Sequence, residues 1–314
     1  MKKKLLICGA TGFIGRNLVE KFLNKEFQIY AIYNKSKPFY YPKIKWIKSD
    51  LTKKKNVENI TKGMDVVIQA AATTTGSKDV INQPYIHVTD NVIMNAFLFR
   101  SCFENKVKHL IFLSCTTMYK SSKKPLAEND FDPRKDVNDK YLGAANTKLY
   151  NEKMCEFYSS LGSTKFTAIR HSNIYGPYDK FDLERSHVFG ATITKVMNAK
   201  KSITVWGAGK EKRDLLYIDD LVEFIYLVIK KQKRKFEIFN CGYGSYISIN
   251  SLVKKIINHS GKKLKIKYDL SKPNIPTFLT LNCSKAKKIL GWKKKTNLDK
   301  GIIKTLNWWK KNYS

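Results

Sequence analysis

The chain has 314 residues, 43 % of them apolar, and a formal charge of +33. That length supports a well-buried core in one large or two smaller domains, and no uninterrupted apolar stretch approaches the roughly 20 residues that span a bilayer. So high a charge first suggests a nucleic-acid or membrane-surface partner, yet only 7 of the 59 basic residues are arginine and the lysines run from Lys2 to Lys311. Such dispersion is a general lysine-rich composition and not a binding stripe, although the positive field still attracts anionic cofactors and substrates. Six cysteines (Cys8, Cys102, Cys115, Cys155, Cys241, Cys283) lack metal-ligand spacing and lie mostly in apolar segments. A reduced, cytoplasmic setting without disulfides or zinc is expected. Met1-Lys2-Lys3-Lys4 before Leu5-Leu6-Ile7 resembles the opening of a signal peptide, but Gly9, Gly12 and Arg16 break the apolar run, so no export is expected.

In chain order, Lys3 to Cys8 reads as a buried strand, Gly9, Gly12 and Gly15 turn the chain, and Ile14, Leu18, Val19 and Phe22 recur at helical spacing. A strand–glycine turn–helix unit lets a pyrophosphate approach the backbone and face the free N–H groups of a helix start. Thr11, Phe13 and Ile14 complete the turn. Phe27 to Tyr33 predicts a second strand, followed by Asn34, Lys35 and Lys37 with no carboxylate. Carboxylates at that strand end bind the ribose 2′-hydroxyl of NAD, whereas cations suit the 2′-phosphate of NADP; NADP is expected, with NAD as the alternative. Ile44 to Ile47 and Met64 to Ile68 predict two more strands, which lead to Asp50-Leu51 and to Ala70-Ala71-Ala72. Residues 87 to 104 predict a helix, Lys108 to Ser114 a strand, and 145 to 161 another helix.

Several of these stretches carry a resemblance. Asp50-Leu51, Gln69-Ala70-Ala71-Ala72, Asn91 to Asn95, and Leu110 to Ser114 followed by Tyr119 resemble the extended short-chain dehydrogenase/reductase family that acts on nucleotide sugars. Later segments extend the likeness over nearly the whole chain: Arg170-His171-Ser172-Asn173-Ile174-Tyr175-Gly176-Pro177, Trp206-Gly207-Ala208-Gly209 with Arg213-Asp214 and Asp219-Asp220, and Ser284 to Trp292. Asp179-Lys180-Phe181 and Ser186-His187-Val188 look most like the branch that contains the GDP-L-fucose synthases and related GDP-4-keto-6-deoxysugar reductases. The resemblance implies a Rossmann-like doubly wound parallel sheet with a smaller C-terminal α/β substrate domain. Residues 1–170 with 218–240 form the first part and 171–217 with 241–314 the second. It also implies that Asp50 meets the adenine and Lys148 the nicotinamide ribose, and that Thr73, Thr74, Asn173, His187, Val188, Trp206 and Arg213 meet the nucleotide sugar.

The family moves a proton with a Tyr four residues before a Lys, one helical turn away, where the ammonium lowers the phenol pKa. Lys148 fits, with Glu152 one turn later, but four residues earlier stands Ala144. Three explanations stay open: an introduced replacement of the Tyr at 144, service by Tyr141 through an irregular helix start near Gly143, or a chain that uses another acid or none. A second departure is Cys115 where the family carries Ser or Thr, with Thr116 and Thr117 adjacent as substitute hydroxyls. A third is Thr117 where the epimerising synthases carry Cys, although His187 matches their His. Simple redox chemistry at C4 of a GDP-linked keto sugar is therefore expected. The alternatives are a UDP-sugar 4-epimerase using NAD and an inactive nucleotide-binding protein. Helices near 87–104 and 145–161 carry Val92, Ile93, Phe97, Leu149, Met154, Phe157 and Tyr158 on more than one face, from which a homodimer is expected.

Overall fold

The computed structural model describes residues 2–74, 83–134, 136–137, 139–184, 186–272 and 278–313. Its centre is a seven-stranded sheet in the order β10-β6-β5-β4-β1-β2-β3, with every neighbouring pair parallel. The strands are β1 (Lys3–Cys8), β2 (Phe27–Tyr33), β3 (Ile44–Lys48), β4 (Val66–Gln69), β5 (His109–Cys115), β6 (Lys165–His171) and β10 (Phe236–Cys241). Parallel strands need crossovers, and these put helices on both faces. The residues of β1 divide accordingly. Leu5 and Ile7 join one apolar cluster with Leu18 and Phe22 of α1 (Phe13–Phe22) and Leu221 and Ile225 of α6 (Ile218–Lys231). Leu6 and Cys8 join another with Leu98 and Phe99 of α3 (Thr89–Glu104) and Cys155 of α4 (Leu142–Leu161).

Strand order reverses between β1, which runs outward through β2 and β3, and β4, which runs the other way through β5 and β6. In such a sheet the crevice beyond the carboxyl ends of the strands at this point receives ligands. Over that edge lie a three-stranded sheet of β7 (Asn173–Tyr175), β9 (Lys212–Tyr217) and β11 (Tyr246–Ser248), and a ribbon of β8 (Ser202–Trp206) with β12 (Lys265–Asp269). Helices α5 (Val188–Asn198), α7 (Ile249–Ser260), α8 (Ser284–Leu290) and α9 (Leu298–Tyr313) pack with them. Asp220 at the start of α6 ties the C-terminal segment to the sheet. Its carboxylate accepts from the Lys295 and Thr296 amides at 2.9 and 3.0 Å, and its carbonyl from the Trp292 indole at 3.1 Å.

Strands β1 and β2 fall where the apolar pattern predicts them. Helix α2 (Lys54–Thr61) escapes that pattern, since only Val57, Ile60 and Thr61 are buried in a run otherwise rich in Lys and Asn. Helix α4 starts at Leu142, three residues before expectation, because a short 3₁₀ turn, Asp139–Tyr141, leads into it. Gly143 belongs to that start: a Cβ there would stand 2.9 Å from Val88 Cγ2. No helix among the described residues is long and apolar enough to cross a membrane.

Candidate active site

The glycine turn separates into two kinds of glycine. Gly9 has a φ of +70°, and a Cβ on it would lie 2.7 Å from the Ala71 backbone. A Cβ on Gly15 would lie 2.1 Å from the Gly9 carbonyl oxygen, so that glycine lets α1 sit against the strand end. Gly12 is exposed, has an ordinary φ of −79°, and caps α1 without any side-chain hydrogen bond. Two glycines thus serve the protein's own packing, and the third leaves open a helix start whose first turn carries no acidic residue. Thr11, Phe13 and Ile14 are half-buried around it. An open N-terminus at the reversal of strand order suits a dinucleotide pyrophosphate.

On the adenosine side, Asp50 follows β3. Its Oδ1 accepts from the Thr52 amide at 3.0 Å and the Thr52 hydroxyl at 2.8 Å. These bonds, with Lys53 and Lys35 nearby, hold its carboxyl below the usual range. Leu51 is buried, and Asn34, Lys35 and Lys37 are exposed at the end of β2. Beyond β4, the Ala70 amide donates to the Cys8 carbonyl and the Ala71 amide to Gln69 Oε1, while Ala72 is exposed. Asn91 clamps Thr73 through both of its backbone polar atoms, each at 2.9 Å. Thr74 accepts from Lys180 Nζ at 2.7 Å, a bond that joins the first half of the chain to the second.

A second group of candidate residues is built on β5, β6 and α4. Lys148 points from α4 to the Leu113 carbonyl at 2.9 Å, and its ammonium lies 4.8 Å from the Phe112 ring centre. Burial lowers its pKa, while the charges of Cys115 and Glu152 oppose the shift. Cys115 Sγ is 2.9 Å from Thr117 Oγ1, and Thr116 is buried beside them. Ala144 is half-buried one turn before Lys148 on the same helix. Tyr141, at the N-cap of α4, packs with Met118, Ala145 and Leu281. Burial raises its phenol pKa; Arg213 acts to lower it and Cys115 to raise it. Asn173 donates to the Asp214 carbonyl at 3.3 Å, and Arg213 donates to the Lys212 carbonyl at 3.0 Å. Charge links Cys115 to both Lys148 and Tyr141, and Tyr141 to Arg213, while Thr117 pairs with Cys115.

His187 caps α5, which begins at Val188. The residue is exposed, but nearby protein desolvates its ring and, with the charges of Lys180 and His87, lowers its pKa. Trp206 stands elsewhere, in the β8–β12 ribbon with Lys195 Nζ 5.3 Å from its ring centre. No hydrogen bond, ion pair or ring contact among the described residues joins it to the Lys148 group.

Sequence reasoning passed over two features. His171 is the register partner of Cys115 on β5 and of Cys241 on β10, and its Nδ1 lies 2.8 Å from the Ser172 carbonyl. Burial pushes its imidazole down to about 4, so the ring is neutral at physiological pH. Its signal was its place directly after Arg170 at a strand end. The second feature lies underneath: Arg170 makes a 2.7 Å ion pair with Glu152, and both side chains are buried. Ser114 donates to Glu152 at 2.6 Å, Arg170 donates to the Tyr119 hydroxyl, and Tyr119 donates to Asn240 at 2.9 Å. The network locks α4 to the ends of β5, β6 and β10, and so fixes where Lys148 stands.

A parallel sheet with an open glycine turn at its reversal point, and a lysine-bearing helix across the strand ends, defines a dinucleotide-binding α/β enzyme. The profile of the NAD dependent epimerase/dehydratase family matches residues 5–242, and the chain belongs to that family. Among curated relatives, GDP-L-colitose synthase of Yersinia pseudotuberculosis is 28 % identical over 309 residues, covering 96 % of each chain. GDP-L-fucose synthase of Sinorhizobium fredii is 29 % identical over 312 residues, covering 96 % of this chain and 94 % of its own. In fold, the chain is similar to UDP-glucose 4-epimerase of Thermotoga maritima, with a TM-score of 0.89 at 22 % identity over 99 % of this chain and 100 % of that one.

Proposed function

We propose that the chain is an NADP-dependent oxidoreductase acting at C4 of a nucleotide-linked keto sugar, with GDP as the nucleotide. The observation that carries this reading is the half-buried Lys148, bonded to the Leu113 carbonyl near Cys115 and Thr117 at the strand ends, in a chain alignable end to end with GDP-L-colitose and GDP-L-fucose synthases. When bound, the cofactor supplies the hydride. The residues named above divide the remaining work. Gly12 and the start of α1 receive the pyrophosphate, Asp50 the adenine, and Lys35 and Lys37 the 2′-phosphate. Lys148 orients the nicotinamide ribose. Arg213 and Asn173 hold the diphosphate of the substrate, with Thr73, Thr74, His187, Val188 and Trp206 on its remaining surface. Thr117 in place of a thiol favours redox chemistry without epimerisation. In this reading, residues 1–170 with 218–240 form the cofactor domain and the rest the substrate domain.

The test is whether NADPH absorbance falls when a GDP-linked 4-keto-6-deoxyhexose is added. A UDP-sugar 4-epimerase, the second reading, is favoured by the fold likeness to UDP-glucose 4-epimerase. It would interconvert UDP-sugars with no net change in NADPH, and that result sinks the first reading. A protein that binds nucleotides and turns nothing over is the third. We also propose a homodimer through α3 and α4, where Tyr150, Phe157 and Leu161 stand roughly half exposed along one helix. A monomeric mass by light scattering at micromolar concentration would refute it. The six free cysteines support a reduced, cytoplasmic setting.

A further inference from the structure

Ladder pairing of β4 with β1 and β5 stops at Gln69, and the chain then runs against the glycine turn, with the Ala71 backbone 2.7 Å from where a Gly9 Cβ would stand. Past that point its peptide groups need other partners. Two buried asparagines of α3, one helical turn apart, supply them. Asn91 Oδ1 accepts from the Thr73 amide and Asn91 Nδ2 donates to the Thr73 carbonyl, both at 2.9 Å, so its side-chain amide pairs as a neighbouring strand's peptide would. Its Nδ2 also donates to the His87 carbonyl at 2.8 Å, which puts both amide hydrogens and the oxygen to use. Asn95 works through Gln69. Its Oδ1 accepts from Gln69 Nε2 at 2.7 Å, and Gln69 Oε1 accepts from the Ala71 amide at 3.2 Å. Between the two clamped positions stands Ala72, exposed, with neither its N–H nor its C=O hydrogen-bonded among the described residues.

We infer that Asn91 and Asn95 are positioning residues for the cofactor, and that what they hold in place is the Ala72 peptide. The inference rests on the reading of the crevice as a nicotinamide dinucleotide site. A dinucleotide seated on the glycine turn lies beside the β4 exit, because Gly9 and Ala71 are in contact. There Ala72 presents a hydrogen-bond donor and an acceptor with no bulky side chain in the way. Pinning Ala71 and Thr73 on either side orders that peptide before the ligand arrives, so binding does not have to supply the ordering entropy. A third asparagine shows what the same chemistry does away from the crevice. Asn105, about 20 Å further along the axis of α3, donates to Thr61 Oγ1 at 2.7 Å and to the Glu58 carbonyl at 3.1 Å, and so ties α3 to α2. Its bonds hold helix to helix and touch no candidate site residue.

The test uses the full chain, titrated with NADPH and with NADH. Asn91→Ala and Asn95→Ala should each raise the dissociation constant of the preferred cofactor about tenfold, since the ordered peptide then makes up only a fraction of the population. In turnover, KM for the cofactor should rise with it while kcat at saturation holds. Without any ligand, amide hydrogen exchange at Ala71 and Thr73 should quicken in the variant that removes the respective clamp. Asn105→Ala is the comparison: it should lower the melting temperature and leave the dissociation constant where it was. Cofactor affinity unchanged in both Asn91→Ala and Asn95→Ala, or weakened equally by Asn105→Ala, overturns the inference. Should Asn91→Ala fail to fold, Asn95→Ala decides alone, because it removes only the support behind Gln69. Failure of the cofactor reading looks different: the native chain itself binds neither dinucleotide, and the inference falls with that reading.

Discussion

The turn between β1 and α1 and the start of α4 differ in how tightly their residues are determined. In the turn, backbone sterics leave Gly9 and Gly15 no alternative, and the open helix start at Gly12 follows from them. At the start of α4, nothing in the packing forces a particular proton donor: Ala144 is half-buried, and Tyr141 packs against an apolar cluster. Binding a dinucleotide demands a backbone shape, whereas delivering a proton demands only that some acidic hydrogen reach the right point. One region is therefore fixed by geometry and the other is free to be rebuilt.

The largest effect expected from breaking this contrast is on the network beneath α4. Arg170→Met would leave Glu152 buried with Ser114 as its remaining side-chain hydrogen-bond donor among the described residues, so unfolding free energy should drop by about 3–5 kcal/mol. A denaturation midpoint equal to the native protein's would show that α4 is held by packing alone. Next comes the turn itself. Gly15→Ala should destabilise by about 1–3 kcal/mol and abolish cofactor binding, because its methyl must displace the Gly9 carbonyl. Gly12→Ala, with only a 3.3 Å contact to relieve, should fold normally and weaken NADPH binding in isothermal titration. Equal melting temperatures for the two variants would erase the distinction drawn between these glycines.

On α4, Ala144→Tyr should raise turnover about 10²–10⁴-fold, since a phenol one turn before Lys148 can supply a proton. Unchanged turnover would mean that position 144 is not where the proton is delivered. A smaller change is expected at the adenosine end. Asn34→Asp should shift the ratio of NADP to NAD affinity about tenfold toward NAD, equivalent to roughly 1.4 kcal/mol, as a carboxylate repels the 2′-phosphate. An unchanged ratio would count against the place given to Asn34.

A last effect is one of pH and concerns Asp179, which packs against α5 with its Oδ2 unpartnered among the described residues. Burial pushes its carboxyl up to about 7. The folded state then holds a proton that the unfolded chain releases near 4, so Asp179 favours folding at low pH, and that contribution is lost as pH rises through 7. Asp179→Asn should match the native protein near pH 4 and be the more stable of the two at pH 8. A stability difference that does not vary with pH would assign the burial of Asp179 no titration.

How much of this was legible in the sequence follows from what each feature depends on. The spacing of Gly9, Gly12 and Gly15 and the apolar runs of β1, β2 and β5 were readable because they answer to local sterics and to burial on both faces of a parallel sheet. Helix α2 was not, since it buries only Val57, Ile60 and Thr61 and its exposed lysines hide the period. Lys148 and the gap at Ala144 were read through the family resemblance, whose Tyr and Lys stand one helical turn apart. What surrounds that gap could not be read. Tyr141 and Arg213 are 72 positions apart, and only the fold brings the guanidinium's charge to bear on the phenol. The Glu152–Arg170 pair and the Cys115–His171 register are of the same kind. The chain alone determined the elements and the kind of pocket they enclose, because periodicity and glycine sterics act between near neighbours. Which side chains meet in that pocket was decided by the tertiary structure, because electrostatics and hydrogen bonding act through space.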